Sequence, residues 1–70
     1  MIRQHVISSD LVAVGYDADK QVLEIEFLDG SVYQYSHVPM SIHQGLMAAS
    51  SHGRYFHAHI RGRYSYIRIV

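Results

Sequence analysis

The sequence predicts a small α+β domain in which a three-stranded antiparallel meander is packed by a helix. Short apolar segments separated by turn residues indicate the strands, and one of these segments alternates apolar with acidic side chains. A later segment places apolar residues at spacings of four and three, which indicates the helix. Because the chain has 70 residues, we expect a single domain, 1–70, with a thin core.

Turn residues delimit the strands of the meander. The strands are predicted at about 10–16, 22–28 and 31–37. The segment 17–20 is a turn, and the pair Asp29-Gly30 is a strong hairpin signal between the second and third strands. The third strand carries Tyr33-Gln34-Tyr35, whose aromatic side chains suit a pleated sheet.

The register of this hairpin decides which face the two tyrosines occupy. A two-residue turn pairs them with acidic residues, Tyr33 with Glu26 and Tyr35 with Glu24. A three-residue loop, with Gly30 in the left-handed conformation of a bulge, shifts the pairing by one residue. Since a shift of one residue turns every side chain to the other face, only one register is compatible with a buried core.

We favour the three-residue loop because it pairs apolar residues with apolar residues. Tyr33 then lies opposite Ile25, and Tyr35 lies opposite Leu23. The polar residues of the hairpin are expected together in water: Glu24, Glu26 and Gln34. In this register Tyr33 and Tyr35 are structural residues that hold the helix against the sheet.

The second half of the chain predicts helices. Pro39 suits a first helical turn, and we expect a helix at about 39–51 with Gly53 as its left-handed cap. A short second helix is predicted at about 54–61, ended by the glycine that follows it. The segment 64–69 alternates again and is either a fourth strand or an arm that reaches a neighbouring subunit.

Charge is distributed unevenly although the net charge is zero. All six acidic residues precede residue 30, whereas four arginines and five of the six histidines follow it. Such asymmetry indicates a nucleic-acid-binding face or head-to-tail self-association; alternatively, the acidic half only neutralises the basic half within one fold.

Composition excludes several classes of protein. There is no cysteine, which excludes disulfides and thiolate metal sites. No apolar run is long enough to span a membrane, and the first residues lack the features of a signal peptide, so we expect a cytoplasmic protein with no membrane contact.

An ordered set of residues along the chain resembles one known family. The set is Ser8-Ser9, Val14-Gly15-Tyr16-Asp17, Leu23 to Phe27, Gly30, Tyr33-Gln34-Tyr35, Val38-Pro39, Leu46, Ala49-Ser50, Gly53, Tyr55-Phe56 and Ile60. From about residue 7 to 64 the chain is thereby similar to the KTSC domain, which occurs at the C-terminus of some lysyl-tRNA synthetases and as stand-alone bacterial proteins. The resemblance implies that Tyr33 and Tyr35 are the family's central Tyr-x-Tyr, and that RNA binding is the activity to test. It supplies no catalytic motif.

The basic and aromatic segment 54–68 is the strongest candidate for a binding surface. Arginines contact phosphates, and interleaved aromatic rings stack on unpaired bases. The candidate nucleic-acid-binding residues are Arg54, Tyr55, His57, His59, Arg61, Arg63, Tyr66 and Arg68. The alternative is that Phe56, Ile60 and Tyr64 pack in the core while the arginines form only a solvated face.

Metal binding and catalysis find little support. His57 and His59 are two residues apart rather than the four of a helical pair, and with His52 they lack thiolate or carboxylate neighbours in the sequence. The run Ser50-Ser51-His52 is unspecific. The pair Glu24 and Glu26 is typical of the wet face of a strand. We therefore expect a binding module with no cofactor, metal or small-molecule substrate, and not an enzyme.

Two functions remain as hypotheses. The first is a module that binds RNA or another single-stranded nucleic acid through the segment 54–68. The second is a protein-interaction or self-assembly module in which the segment 64–70 adds to a sheet edge, so that the partner is a second copy of the chain.

Overall fold

A five-stranded antiparallel sheet with two helices on one face forms the fold. The computed structural model describes residues 1–70. Its elements are β1 (Arg3–His5), β2 (Leu11–Asp17), β3 (Val22–Phe27), β4 (Val32–Tyr35), α1 (Met40–Ala48), α2 (His52–His59) and β5 (Tyr66–Arg68). The strands lie in the order β1-β2-β3-β4-β5, and every neighbouring pair is antiparallel. The predicted α+β class is confirmed, and the predicted meander forms the centre of a larger sheet.

The β3–β4 hairpin has the favoured register. Ile25 lies opposite Tyr33 and Leu23 lies opposite Tyr35. The Phe27 N–H donates to the Ser31 carbonyl at 2.9 Å, which closes a three-residue loop. Within this loop Gly30 has a φ of 87°, the left-handed conformation that the bulge requires. The prediction of a three-residue loop is therefore confirmed.

The expectation that Glu24 lies in water is wrong. Only 7% of Glu24 is exposed, because Arg3 on β1 and Gln34 on β4 cover it. Arg3 Nε lies 3.5 Å from Glu24 Oε2, and Gln34 Nε2 donates to Glu24 Oε1 at 2.8 Å. Between Arg3 and Glu24 lies Gly15, whose missing side chain lets the arginine cross β2. The burial follows from β1, which sequence patterning did not predict.

The core lies between the sheet and the two helices. Nine buried residues form it: Leu11, Val14, Leu23, Ile25, Tyr35, Val38, Leu46, Phe56 and Ile60. Of the predicted helical face, Leu46 is fully buried, and Ile42 and Ala49 are half-buried. At the N-terminal end of α1, the Tyr16 ring stacks on His43 with ring centroids 4.6 Å apart.

The helix boundaries differ from those predicted. Pro39 is the N-cap of α1, which ends at Ala48 because Ala49 takes an extended conformation. The Ser51 Oγ accepts a hydrogen bond from the Arg54 N–H at 3.2 Å and so caps α2. Gly53 therefore lies inside α2 and does not cap α1.

Gly53 lies close to the side chain of Asp10, the residue that precedes β2. A Cβ atom there would lie 2.9 Å from Asp10 Oδ2, so a larger residue would have to displace the exposed Asp10 carboxylate. Gly62, which was predicted to end the second helix, lies instead in the turn after the C-cap Ile60, where its φ is 76°.

The C-terminal segment is a strand and not an arm. In β5, Tyr66 pairs with Tyr35 and Arg68 pairs with Tyr33, so β5 extends the sheet of its own chain. Neither helix is long and apolar enough to cross a lipid bilayer.

Candidate functional site

An aromatic cleft opens between the C-terminal end of α2 and the β3–β4 hairpin. Its volume is about 520 Å³, within the range of small-ligand pockets. Five aromatic side chains line it: Phe27, Tyr33, Tyr35, Phe56 and Tyr66. Polar side chains surround them: Ser9, Asp10, Asp29, Ser31, His57 and Arg61. The cleft therefore combines stacking surfaces with groups of both charges.

Three tyrosines from two neighbouring strands meet in this cleft. Tyr33 and Tyr35 are two residues apart in β4 and so point to the same face of the sheet. Pairing of Tyr35 with Tyr66 adds the third ring, whose centroid lies 5.4 Å from that of Tyr33 and 5.6 Å from that of Tyr35. Tyr66 is 58% exposed, whereas Tyr35 is 5% exposed. The Tyr66 ring is thus the one most accessible to a ligand.

Two phenylalanines fix the orientation of the tyrosine rings. Phe27 packs edge-on against Tyr33 with a centroid distance of 5.6 Å, and Phe56 packs edge-on against Tyr35 at 5.7 Å. Because β3 and α2 supply these phenylalanines, the aromatic surface is held by regular elements on both sides.

Burial alters the acidity of Tyr35. Loss of solvation raises its pKa to about 12, the neighbouring Tyr33 and Tyr66 act in the same direction, and Arg61 opposes them. The Tyr35 hydroxyl therefore remains protonated at neutral pH.

Arg61 and Arg68 supply positive charge at this surface. The N–H groups of Ile60 and Arg61 both donate to the Phe56 carbonyl at 2.9 Å, which ends the last turn of α2 and brings the Arg61 side chain to the cleft. Arg61 Nη1 lies 3.4 Å from His57 Nδ1. The Arg68 guanidinium lies 6.0 Å from the centroid of the Tyr33 ring.

Neither arginine forms an ion pair with a carboxylate. Arg3 forms an ion pair with Glu24, and His57 Nε2 lies 3.8 Å from Asp10 Oδ2. Arg61 can therefore accept an anionic ligand without first breaking a salt bridge, whereas Arg68 Nε already donates to the Val70 carbonyl oxygen at 2.7 Å.

The hairpin side of the cleft carries the carboxylate of Asp29. Ser31 donates its backbone N–H and its hydroxyl to Asp29 Oδ1, at 3.0 and 2.6 Å. These two hydrogen bonds, with the positive charge of Arg68 adding to them, lower the pKa of Asp29. Asp29 is thus an ionised acceptor at neutral pH.

The residues predicted for nucleic-acid binding separate into two groups. His57, Arg61 and Tyr66 line the cleft, and Arg68 lies over the ring of Tyr33, which also lines it. The cleft residues absent from that prediction are Ser9, Asp10, Phe27, Leu28, Asp29, Ser31, Phe56 and Gly62, whereas Tyr33 and Tyr35 were expected only as structural residues.

The other predicted residues lie outside the cleft. The half-buried Tyr55 packs its hydroxyl end against Gly45 of α1, and its ring lies 4.4 Å from that of His59. Arg63 Nε donates to the Ala58 carbonyl at 3.1 Å, and Arg54 is exposed on α2. The alternative, in which Phe56, Ile60 and Tyr64 pack in the core, also holds in part, since the core contains Phe56 and Ile60.

The histidines weighed for a metal site do not converge. His52 Nδ1 lies 2.8 Å from the Leu46 carbonyl oxygen, while His57 faces Asp10 and His59 packs on Tyr55. No group of three histidine, aspartate or glutamate side chains is placed to hold a metal ion.

The comparisons with known proteins identify the family. The family model of the KTSC domain matches residues 7–64 of the sequence, and the chain belongs to this family. It is 41% identical to an uncharacterised protein of Stutzerimonas stutzeri, with 99% of each chain covered. It superposes on the crystal structure of a KTSC domain protein from Yersinia pestis with a TM-score of 0.96 and 42% identity, covering 99% of this chain and 97% of that one.

Relatives also occur within much longer proteins. A lysine–tRNA ligase of Trichormus variabilis is 43% identical over 51 residues, which is 73% of this chain and 9% of the ligase. The KTSC domain is therefore found both as a stand-alone chain and as part of lysine–tRNA ligases.

Proposed function

We propose that this chain is an RNA-binding module that takes an unpaired nucleotide of a single strand into the aromatic cleft. One observation carries the proposal: the exposed Tyr66 ring lies next to the Tyr33 ring, and Arg61 and Arg68 lie near them without an ion pair to an acidic side chain. Rings of this kind stack on splayed-out bases, and guanidinium groups contact the adjoining phosphates.

The expected affinity is modest. A stacked base contributes roughly 1–3 kcal/mol, and charge-assisted contacts to one or two phosphates add to it. A dissociation constant in the micromolar range corresponds to about 8 kcal/mol, which stacking and phosphate contacts together can supply. The occurrence of the domain in proteins named as lysine–tRNA ligases supports RNA as the ligand.

Fluorescence anisotropy with a labelled single-stranded RNA tests the proposal. The parent protein should bind at low salt and lose affinity as salt rises. Arg61→Ala and Tyr66→Ala should each weaken binding by about ten-fold, and Arg61→Ala should also reduce the slope of log K against log salt by roughly 0.7.

Lys20→Ala is the matched control, because it removes one positive charge in the β2–β3 turn, away from the cleft. It should bind as the parent does. The proposal is wrong if the parent binds no RNA at low salt, or if folded Arg61→Ala binds as tightly as Lys20→Ala.

A second function, self-assembly through the sheet edge, is supported by β5. This strand lies at one edge of the sheet. Its Ile67 is 61% exposed, and Val70, which follows the strand, is 66% exposed. An open apolar edge can pair with the same edge of a second copy. Deleting 64–70 would remove β5 itself, so point variants are the better test.

Sedimentation at high protein concentration distinguishes the two functions. If β5 mediates assembly, the parent is a dimer that Ile67→Lys with Ile69→Lys converts to a monomer. Ile2→Lys, at the opposite edge, leaves the dimer intact. A parent that remains monomeric at all concentrations excludes self-assembly and leaves RNA binding unaffected.

A further inference from the structure

The cleft carries charges of both signs, since Asp10 adds a carboxylate near α2 and Arg68 adds a positive charge near Asp29. Asp29 lies on the hairpin wall and Arg61 lies on the α2 wall, with the ring of Tyr33 also lining the cleft. A phosphate is attracted to Arg61 and repelled by Asp29. A nucleotide in the cleft can therefore place a phosphate at Arg61 and direct the edge of its base toward Asp29.

Asp29 is prepared to accept hydrogen bonds from a base. Both hydrogen bonds from Ser31 go to Oδ1, at 3.0 and 2.6 Å, and they fix the orientation of the carboxylate. The other oxygen, Oδ2, has no protein donor. The lowered pKa of Asp29 keeps the group ionised, so it accepts hydrogen bonds and cannot donate one.

We propose that the cleft selects guanine, whose Watson–Crick edge donates to Asp29 while its ring stacks on the exposed Tyr66. This inference rests on the proposed RNA-binding function and adds the identity of the base. Guanine presents two neighbouring donors on that edge, N1–H and the N2 amino group. Asp29 Oδ2 can accept from one of them, and Oδ1, which Ser31 shares, can accept from the other.

The remaining bases fit this carboxylate less well. Adenine and cytosine present a single amino group on the Watson–Crick edge, beside an acceptor nitrogen that a carboxylate repels. Uracil presents one N–H between two carbonyl oxygens. The expected order therefore places guanine first and uracil last.

Binding of matched RNAs tests the inference. Short uridine-rich RNAs that carry one central guanosine, inosine, adenosine or cytidine, and the all-uridine RNA, are titrated against the parent protein. The guanosine RNA should bind about ten-fold more tightly than the all-uridine RNA, because a bidentate base contact contributes discrimination of this order. Inosine, which lacks the N2 amino group, should lie between them.

Asp29→Asn is the matched variant. Its amide oxygen can still accept from Ser31, so the hairpin loop is retained, but an amino group replaces the free oxygen. Within Asp29→Asn, the preference for the guanosine RNA over the all-uridine RNA should fall to less than about two-fold.

The outcomes separate this inference from the proposed function. If the parent binds none of the RNAs at low salt, RNA binding itself is wrong. If the parent binds the guanosine, inosine and uridine RNAs equally, RNA binding stands and guanine selection is wrong, whatever the stability of Asp29→Asn. Guanine selection through Asp29 is also overturned if folded Asp29→Asn keeps the ten-fold preference.

Discussion

Tyr35 belongs both to the core and to the cleft wall. Its ring packs against Phe56 and opposite Leu23, and the same side chain lines the cleft beside Tyr33 and Tyr66. The family's Tyr-x-Tyr therefore has a structural role, as the sequence predicts, and a position at the candidate site in addition. The two roles are coupled, because the core contacts of Tyr35 fix where its neighbours lie.

The raised pKa of Tyr35 predicts a loss of stability at high pH. The unfolded chain ionises this hydroxyl near pH 10, whereas the folded chain retains the proton to about pH 12. The contribution of Tyr35 is fully present below pH 10 and is lost as the pH rises to about 12. Each pKa unit corresponds to about 1.4 kcal/mol, and the cleft beside Tyr35 opens to the surface, so we expect a screened loss of roughly 1–2 kcal/mol.

Urea denaturation on either side of this pH window measures the loss. Tyr35→Phe is the control and should lose less stability than the parent over the same interval. The stability of Tyr35→Phe should still fall somewhat at high pH, because burial and, to a smaller extent, the charge of Asp17 also raise the pKa of Tyr16. An identical loss in Tyr35→Phe and the parent would contradict the role of Tyr35.

Gly30 determines the register of the β3–β4 hairpin through its backbone conformation alone. Its φ is 87°, and a Cβ atom there would have no neighbour within 4 Å. Gly30→Ala should therefore destabilise the fold by about 1 kcal/mol through strain and not through a clash. Gly30→Asn should cost less, since asparagine tolerates the left-handed region. Equal stability of Gly30→Ala and the parent in thermal unfolding would show that the loop has another conformation.

At the scale of elements, β1 is held by an unusual contact across β2. A Cβ atom at Gly15 would lie 3.1 Å from the Cγ atoms of Met1 and Arg3 and 3.2 Å from the Ile2 carbonyl. The glycine thus lets β1 lie close and lets Arg3 reach the buried Glu24.

Gly15→Ala should displace β1 while the rest of the sheet remains. Amides of Arg3–His5 should exchange faster with solvent, and the protein should lose about 1 kcal/mol because Glu24 loses a partner. Arg3→Ala should have the same effect, so the double variant should cost clearly less than the sum of the single variants. Additive costs in denaturation experiments would show that Gly15 and Arg3 act independently.

Elements with a local signal could be predicted from the sequence, and elements without one could not. The apolar–acidic alternation of β3 and the Asp29-Gly30 pair led to the meander and to its register. By contrast, β1 is Arg-Gln-His, a polar segment without alternation that is placed by backbone pairing with β2. The end of α1 was also missed, because Ala48 and Ala49 give no stop signal.

At the scale of the whole molecule, the candidate site is assembled from distant segments. Asp10 precedes β2, Asp29 lies in the hairpin loop, and Arg61 and Tyr66 follow α2. The sequence indicated the basic and aromatic segment as a continuous surface, but only part of that segment faces the cleft. Tyr55 has the composition of a stacking residue, yet it packs between the helices.

The acidic members of the site could not be found from charge patterning. Asp10 and Asp29 belong to the acidic half of the chain, and neither was among the candidate nucleic-acid-binding residues. Folding brings these carboxylates to the cleft that Arg61 lines, and this pairing of opposite charges underlies the expected selection of guanine.

Titration of the isotope-labelled protein with single-stranded RNA, followed by NMR at low salt, tests RNA binding in the cleft most directly. Signals of Ser31, Tyr33, Arg61 and Tyr66 should shift together with a single dissociation constant, while those of Arg54 and His59 should not move. Shifts confined to Arg54 and His59, or no shifts at all, would contradict a binding site in the cleft.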